Sequence, residues 1–141
     1  MTRFMAIIKI VILSILVFSF NSEAKCKNRG NVFCRFNVVE VYDGDTFFIT
    51  IKKTQSIFGK RLGVRVKGVN TPEIRGGTVE TKAAALRAKS FTSATLSNGR
   101  AIKLTQCVRG KYFRVVCNVI IDGASLADQL IKNNLAVIYR R

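Results

Sequence analysis

Four consecutive residues, Asp43-Gly44-Asp45-Thr46, place two carboxylates two positions apart at the start of a β-like segment. Residues two apart in a strand point to the same side, so both carboxylates can face one ligand. Oxygen ligands of this kind suit a hard divalent cation such as Ca²⁺ or Mg²⁺. Asp-Gly is also ordinary β-turn chemistry, so a plain turn between strands is the alternative.

A second candidate group surrounds the single proline, in Asn70-Thr71-Pro72-Glu73. Pro72 holds Thr71 extended, so the Glu73 carboxylate follows a stiff turn, where it could accept a proton from water. Arg65 falls on the polar side of a predicted strand, and a guanidinium can hold a phosphate with two parallel hydrogen bonds. The alternative is a solvated strand arginine and a turn carboxylate, paired at the surface.

The third group is the segment Arg109-Gly110-Lys111-Tyr112-Phe113-Arg114, between two β-rich stretches. Its arginines and lysine can bind phosphates, and Tyr112 can stack on a base or a sugar. A charged loop that only keeps the protein in solution is the alternative.

Together the three groups match the requirements of phosphodiester hydrolysis. A metal-binding carboxylate, a carboxylate base and two arginines can activate water and stabilise the charge that develops at phosphorus. The chain has no histidine, which excludes histidine acid–base catalysis and zinc sites that need imidazole. Its formal net charge of +16 over 141 residues indicates a polyanionic partner, whether nucleic acid, an anionic membrane or an acidic polysaccharide.

The elements that must position these groups are mostly strands. Alternation of apolar and polar residues predicts strands over 38–42, 46–51, 63–69, 102–107 and 113–121. A polar and cationic stretch over 52–61 predicts a hairpin loop, and Asp122-Gly123 predicts a turn.

Two helices complete the pattern. An alanine-rich segment predicts a helix over 79–96, which Asn98-Gly99 would end; the residues at helical spacing are Ala84, Ala88, Phe91 and Thr95. Ser125 predicts the cap of a last helix that Asn133-Asn134 would end, with an apolar stripe of Leu126, Leu130 and Ile131. Five antiparallel strands with a helix after the third predict an α+β, mainly β fold, a five-stranded OB-type barrel with two helices.

Residues 1–24 have the order of a secretory signal peptide. Arg3 and Lys9 are followed by an apolar run over 10–20 and by the small residues Ser22 and Ala24. The run is too short to span a bilayer, which needs about 20 residues. Cleavage after Ala24 would leave one domain at 25–141 in a secreted or periplasmic protein, and an uncleaved membrane anchor is the alternative.

The four cysteines fit an exported chain. Neither spacing is a CxxC metal knuckle, and four cysteines allow three pairings. We favour Cys26–Cys34 and Cys107–Cys117, because the second pair is symmetric about Tyr112 and can face across a hairpin. Reduced, buried Cys107 and Cys117 are the alternative.

In this order the motifs resemble the staphylococcal nuclease (thermonuclease-like) family, from near Val38 to about Tyr139. The resemblance rests on Asp43-Gly44-Asp45-Thr46, Arg65 with Thr71-Pro72-Glu73, Lys111-Tyr112-Phe113-Arg114, and Asp122-Gly123 before a helix. It implies a Ca²⁺-dependent nuclease that cleaves DNA and RNA at the 5′-oxygen and leaves 3′-phosphates.

The resemblance also implies a role for each matching residue. The calcium ligands would be Asp45, Asn70 and the main-chain carbonyl of Thr71, with Asp43 behind them. The general base would be Glu73, and the scissile phosphate would contact Arg65 and Arg114. The terminal phosphate of a bound nucleotide would contact Lys111 and Tyr112.

This chain departs from the family pattern at three places. Asn70 stands where the family has an aspartate, which removes one negative charge from the metal site and predicts weaker calcium binding. Gly110 replaces an acid and Phe113 replaces a glycine, so the loop before Arg114 is expected to differ. The chain stops at Arg141, soon after the second helix, so the family's C-terminal third helix is expected to be missing.

Two other functions remain compatible with the sequence. A basic OB-type barrel could bind single-stranded nucleic acid without chemistry, by tracking phosphates and stacking bases. The Asn70 substitution favours that interpretation, whereas the retained Asp45 and Glu73 favour an enzyme. A basic surface or membrane-active protein is the third possibility. For the enzyme we expect DNA and RNA partners, single-stranded or frayed, and a monomer.

Overall fold

The computed structural model describes residues 26–140. The predicted signal peptide, residues 1–24, lies outside this range. Within the described range, no helix combines the length and the apolar character that a membrane crossing requires.

The strands follow one another as β1 (Asn37–Val41), β2 (Thr46–Thr50), β3 (Leu62–Val66), β4 (Val69–Asn70), β5 (Ile102–Arg109), β6 (Arg114–Ile121), β7 (Ala124–Ser125) and β8 (Val137–Ile138). The helices are α1 (Ser56–Gly59), α2 (Val79–Asn98) and α3 (Leu126–Lys132). The strand predicted over 63–69 is divided into β3 and β4, because Gly68 adopts a φ of +84° between them. The one-turn helix α1 lies in the predicted hairpin loop and was not indicated by the sequence.

The main sheet has the order β1-β2-β3-β6-β5, and the short β7 pairs with β6. All its neighbours are antiparallel except β3 and β6, which run parallel. The expectation of an entirely antiparallel sheet is therefore wrong at this pair. The long connection through α2 allows it, because parallel neighbours require a crossover, usually a helical one. The result is a mixed sheet that forms a half-barrel with helices, an α+β arrangement of the OB-like kind.

The core lies on the concave side of the half-barrel. Fully buried side chains there include Phe47, Ile49, Val64, Leu104 and Val119. They come from four strands, and Leu126 and Leu130 of α3 join them. Because alternate residues of a strand face opposite sides, Gly63 and Arg65 of β3 lie on the other side of the sheet.

The helix predicted over 79–96 is confirmed as α2, although three of the four residues named for their helical spacing lie beside its most buried face. The buried residues are Ala85, Ala88, Thr92 and Leu96, whereas the predicted Ala84, Phe91 and Thr95 are only partly buried. Ala88 and Thr92 contact the turn that carries Asp45, where Gly44 leaves room for them, and Leu96 joins the hydrophobic core.

Both favoured disulfides are present in the structure. Cys26 pairs with Cys34, and Cys107 pairs with Cys117, with Cα–Cα distances of 6.0 and 4.2 Å. The register of β5 and β6 shifts between Thr105 and Val108, and this bulge places Cys107 opposite Cys117.

Candidate nuclease active site

The turn Asp43–Thr46 is fixed against helix α2. The backbone N–H of Asp45 donates to Asp43 Oδ1 at 3.0 Å, and the hydroxyl of Thr92 donates to the Gly44 carbonyl at 2.6 Å. A Cβ at Gly44 would come within 2.6 Å of Ala88 Cβ and 2.7 Å of Thr71 Cγ2. Only glycine therefore allows the turn to approach the helix and Thr71 this closely.

The Asp45 carboxylate is buried, with 1% of the residue exposed, and it accepts hydrogen bonds on both oxygens. Oδ1 accepts from the Arg65 guanidinium and, at 3.0 Å, from the Thr46 hydroxyl. Oδ2 accepts from the backbone N–H of Thr71 at 2.8 Å and from its hydroxyl at 3.2 Å. A carboxylate has about four acceptor positions, so this network uses all of them.

Arg65 joins Asp45 to the segment that contains Asn70. Its Nη1 pairs with Asp45, while Nη2 donates to Asn70 Oδ1 at 2.7 Å and to the Val69 carbonyl at 3.3 Å. The side-chain oxygens of Asp45 and Asn70 thus converge on one cationic group. This convergence is what a small oxygen-lined cation site requires.

Asp43 is the acid whose titration is most affected. Burial raises the pKa of Asp43 to about 6, and the negative charge of nearby Asp45 contributes to the same shift. A backbone hydrogen bond from Asp45 acts in the opposite direction but is smaller. Asp43 orders the turn by accepting the backbone N–H of Asp45, and its own carboxylate lies close to the Asp45 carboxylate.

Arg114 lies on the same side of the sheet as Arg65. In the parallel pair, Gly63 is opposite Arg114 and Arg65 is opposite Val116, so both arginines rise from the convex face two residues apart in register. A Cβ at Gly63 would lie 3.0 Å from Arg114 Cβ, so the arginine lies across a bare backbone. The Arg114 Nε is buried and has no hydrogen-bond partner among the described residues.

The remaining predicted residues are exposed. Glu73 follows the buried Thr71 by two positions, and in the described structure no hydrogen bond or ion pair ties its carboxylate to the Asp45 network. Lys111 and Tyr112 form the tip of the β5–β6 hairpin, where Tyr112 is 87% exposed. The structure thus brings together Asp43, Asp45, Arg65, Asn70 and Thr71, and it leaves Glu73, Lys111 and Tyr112 accessible from solvent.

Sequence reasoning missed three supporting groups: Thr46, Thr92 and Gly63. The Thr46 and Thr92 hydroxyls bond Asp45 and Gly44 directly, but a threonine in a strand or helix carries no signal of such a bond. The four-residue spacing from Ala88 could only have indicated that Thr92 lies on the same face of the helix, not that its hydroxyl bonds Gly44. Gly63 matters through the close approach of Arg114, which depends on the parallel pairing that the sequence did not predict.

Among the described residues, no group of three or more acidic, histidine or cysteine side chains is close enough to hold a metal. A cation site among these residues would therefore hold at most two carboxylates and would take its other ligands from neutral oxygens. Such a site is chemically reasonable for calcium, which accepts amide and main-chain carbonyl oxygens as well as carboxylates.

The site thus combines two arginines on one face of an OB-like half-barrel with a buried aspartate. Residues 63–141 match the protein-family model described as staphylococcal nuclease homologue. The match covers more than half of the chain, and the protein therefore belongs to the staphylococcal nuclease family. No curated protein matches the chain at a significant level.

Proposed function

We propose that this protein is an exported, calcium-dependent nuclease that hydrolyses phosphodiester bonds of DNA and RNA. The active domain would be residues 25–141, after removal of a signal peptide at 1–24. The observation that carries the proposal is the Asp45–Arg65–Asn70 hydrogen-bond network, with Arg114 on the same sheet face as Arg65. Family membership supports nuclease activity, and the two disulfides support an oxidising location.

The oxygens around Arg65 suit calcium. The ligands would be the Asp45 carboxylate, the Asn70 amide oxygen and the main-chain carbonyl of Thr71. The side chains of Asp45 and Asn70 already contact the same guanidinium, that of Arg65, so calcium binding would require little rearrangement of the backbone. When bound, calcium would withdraw charge from the phosphate and lower the pKa of a nearby water. Arg65 has to release Asp45 and Asn70 before their oxygens can serve as ligands, because they are engaged with its guanidinium.

The chain's own residues would then divide the work on the substrate. Arg65 and Arg114 would hold the scissile phosphate and stabilise the extra negative charge on the five-coordinate phosphorus. Glu73 would take a proton from the attacking water, and its exposure leaves it free to meet that water. Lys111 and Tyr112 would contact a terminal phosphate from the hairpin tip.

In the reaction, the water oxygen forms a bond to phosphorus and passes its proton to Glu73. The bond between phosphorus and the 5′-oxygen breaks, and the departing 5′-oxygen takes a proton from solvent to become a hydroxyl. The phosphate stays on the 3′ side, so the products are a 3′-phosphate and a 5′-hydroxyl. No histidine or covalent intermediate is needed.

The test is hydrolysis of denatured DNA by the wild-type protein and by Glu73→Gln, with calcium or with a chelator. We expect cleavage that requires the metal and falls by about 10²-fold or more in the variant. Glu80→Gln removes another exposed carboxylate, near the start of α2, and should leave the rate unchanged. End-group analysis of the products should show 3′-phosphates.

The second candidate function is a binding module for single-stranded nucleic acid. The Asn70 amide favours it, because this residue contributes no charge to a cation site. Salt-dependent binding without cleavage under any divalent metal would establish that function instead. If Asn70→Asp then gained nuclease activity, Asn70 would be identified as the reason why the wild-type protein does not cleave.

A further inference from the structure

One end of the half-barrel opens into a mostly apolar cleft of about 380 Å³. Its walls include Phe33, Phe58, Phe113 and Val115, with Arg109 and Arg114 at the same opening. The volume falls within the range of about 300–1,000 Å³ typical of small-molecule sites. Of these residues, only Arg114 has a role in the function proposed above.

Phe58 and Phe113 form an aromatic pair at the mouth of this cleft. Their ring centroids are 6.0 Å apart with an interplanar angle of 25°, so the rings are stacked. Phe58 comes from α1 and Phe113 from the β5–β6 hairpin, and they remain 48% and 47% exposed. The pair therefore presents apolar aromatic surface to solvent instead of burying it.

The backbone at Phe113 is unusual for an aromatic residue. Tyr112 and Phe113 both have a φ of +57°, in the left-handed region that favours glycine. An aromatic side chain is held there against its backbone preference, although Phe113 is only about half buried. Strain of this kind often accompanies a functional role.

Two arginines lie close to the aromatic residues of this cleft and of the neighbouring hairpin tip. The Arg109 guanidinium carbon lies 5.1 Å from the Phe113 ring centroid, and that of Arg114 lies 5.7 Å from the Tyr112 centroid. Arg114, whose Nε is buried and has no hydrogen-bond partner within residues 26–140, lines the cleft next to Phe113. A ligand with a flat apolar part and an attached anion fits this combination. A purely apolar peptide or lipid tail would leave the guanidinium groups unused.

We propose that Phe58 and Phe113 form a stacking subsite for an unpaired nucleobase, with Arg109 contacting a phosphate of the same strand. This inference rests on the proposed nuclease function for its substrate, and it adds a base-binding subsite next to Arg114. It selects single-stranded or unpaired nucleic acid, because a base inside a duplex cannot expose its face to the rings.

The experiment measures binding by fluorescence anisotropy, in chelator, so that hydrolysis does not interfere. Two labelled probes of equal length and charge are compared, an oligothymidylate and an abasic oligomer. We expect the purified protein to bind the oligothymidylate at least about 5-fold more tightly, since each stacked base contributes measurably to affinity. Phe58→Ala and Phe113→Gly should each remove most of that preference and leave abasic binding nearly unchanged.

The Phe113→Gly variant keeps the experiment informative because glycine suits the left-handed backbone, so the fold should be retained. Ile57→Ala is the matched control, because Ile57 is 70% exposed on the same short helix and is not part of the cleft wall. It should bind both probes like the wild type. Since the chain contains no tryptophan, Phe113→Trp adds a single reporter whose emission the base-containing probe should quench.

Equal affinity of the wild-type protein for the two probes would overturn the subsite. Loss of binding to both probes equally in Phe58→Ala or Phe113→Gly would also overturn it, since the rings would then support the fold and not the base. These outcomes are separate from the proposed function, because metal-dependent hydrolysis can persist without a stacking subsite. Base-dependent binding in chelator, combined with no hydrolysis in the separate assay with calcium, would support the subsite and reject the nuclease.

Discussion

Thr71 donates two hydrogen bonds to Oδ2 of Asp45, one from its backbone N–H at 2.8 Å and one from its hydroxyl at 3.2 Å. The two residues are 26 positions apart in the chain, in the turn before β2 and in the segment after β4. Because both groups are buried, the bonds fix the backbone of one candidate calcium ligand against the side chain of another. The spacing of the site is therefore set before any ligand arrives.

Replacing Asp45 by asparagine should destabilise the protein by about 3 kcal/mol, because Arg65 would keep its charge with little solvent to compensate. The Arg65 and Asp45 side chains are only 17% and 2% exposed. Chemical denaturation of wild type and variant would measure the difference.

The matched control is Glu40→Gln, which breaks the ion pair with Arg61 on the same sheet. Those side chains are 42% and 59% exposed, so the expected loss is below about 1 kcal/mol. Similar losses for the two variants would contradict the assignment of Asp45 as the buried anchor of the site.

Asn70→Asp should tighten calcium binding by roughly tenfold, because it adds a second carboxylate to the proposed ligand set. The new charge would also face Arg65, which now contacts the Asn70 oxygen at 2.7 Å. Isothermal titration with calcium in the absence of nucleic acid gives the affinity directly. An unchanged dissociation constant would show that residue 70 is not a ligand.

The two disulfides should contribute unequally to stability. They close loops of similar length, with sequence separations of 8 and 10, so their effects on the unfolded chain should be nearly equal, at about 2–3 kcal/mol. Cys107 and Cys117 are also buried in the core, whereas Cys26 is exposed. Replacing Cys107 and Cys117 together by alanine should therefore lower the free energy of unfolding more than replacing Cys26 and Cys34. Equal losses of unfolding free energy in the two double variants would mean that burial of the sulfur atoms does not add to stability.

Acid should weaken the loop between α2 and β5 through Asp122. Its carboxylate accepts the backbone N–H groups of Ala101 at 2.8 Å and Arg100 at 3.1 Å, and these bonds lower the pKa of Asp122. The unfolded chain therefore binds this proton more readily than the folded protein. The stabilisation is complete above the ordinary pKa of 3.8 and is lost as the pH falls through the lower folded value.

Asp122→Asn should thus reduce stability at neutral pH and flatten the decline below pH 3.8, as measured by urea denaturation at several pH values. Asp128→Asn removes one carboxylate from α3 and serves as the control for a change in net charge. An acid limb as steep in Asp122→Asn as in the wild type would rule out this source of pH dependence.

Local patterns were sufficient to predict most of the fold. Alternation located β2, and capping located α3, where Ser125 accepts a hydrogen bond from the Asp128 backbone and Asn134 takes a φ of +55°. Asp122-Gly123 adopts the left-handed backbone expected of a tight turn, with φ values of +48° and +85°. In each case the determining interaction lies within a few residues of sequence.

What could not be predicted depends on contacts between distant segments. The parallel pairing of β3 with β6 follows from the path of the chain through α2 and not from either strand's sequence. The saturation of Asp45 by Arg65, Thr46 and Thr71 likewise requires their positions in space. The sequence indicated which residues have the right chemistry, but not that Arg65 already occupies the oxygens of Asp45 and Asn70.

The bare backbone of Gly63 beneath Arg114 has a consequence for how this protein can vary. A methyl group at position 63 would sit 3.0 Å from Arg114 Cβ and 3.5 Å from the Phe48 ring. Any larger side chain has to displace one of them, and both are partly exposed, so the position of Arg114 would depend on which of the two yields. Position 63 therefore restricts mutational drift through space alone, although it has no functional group of its own.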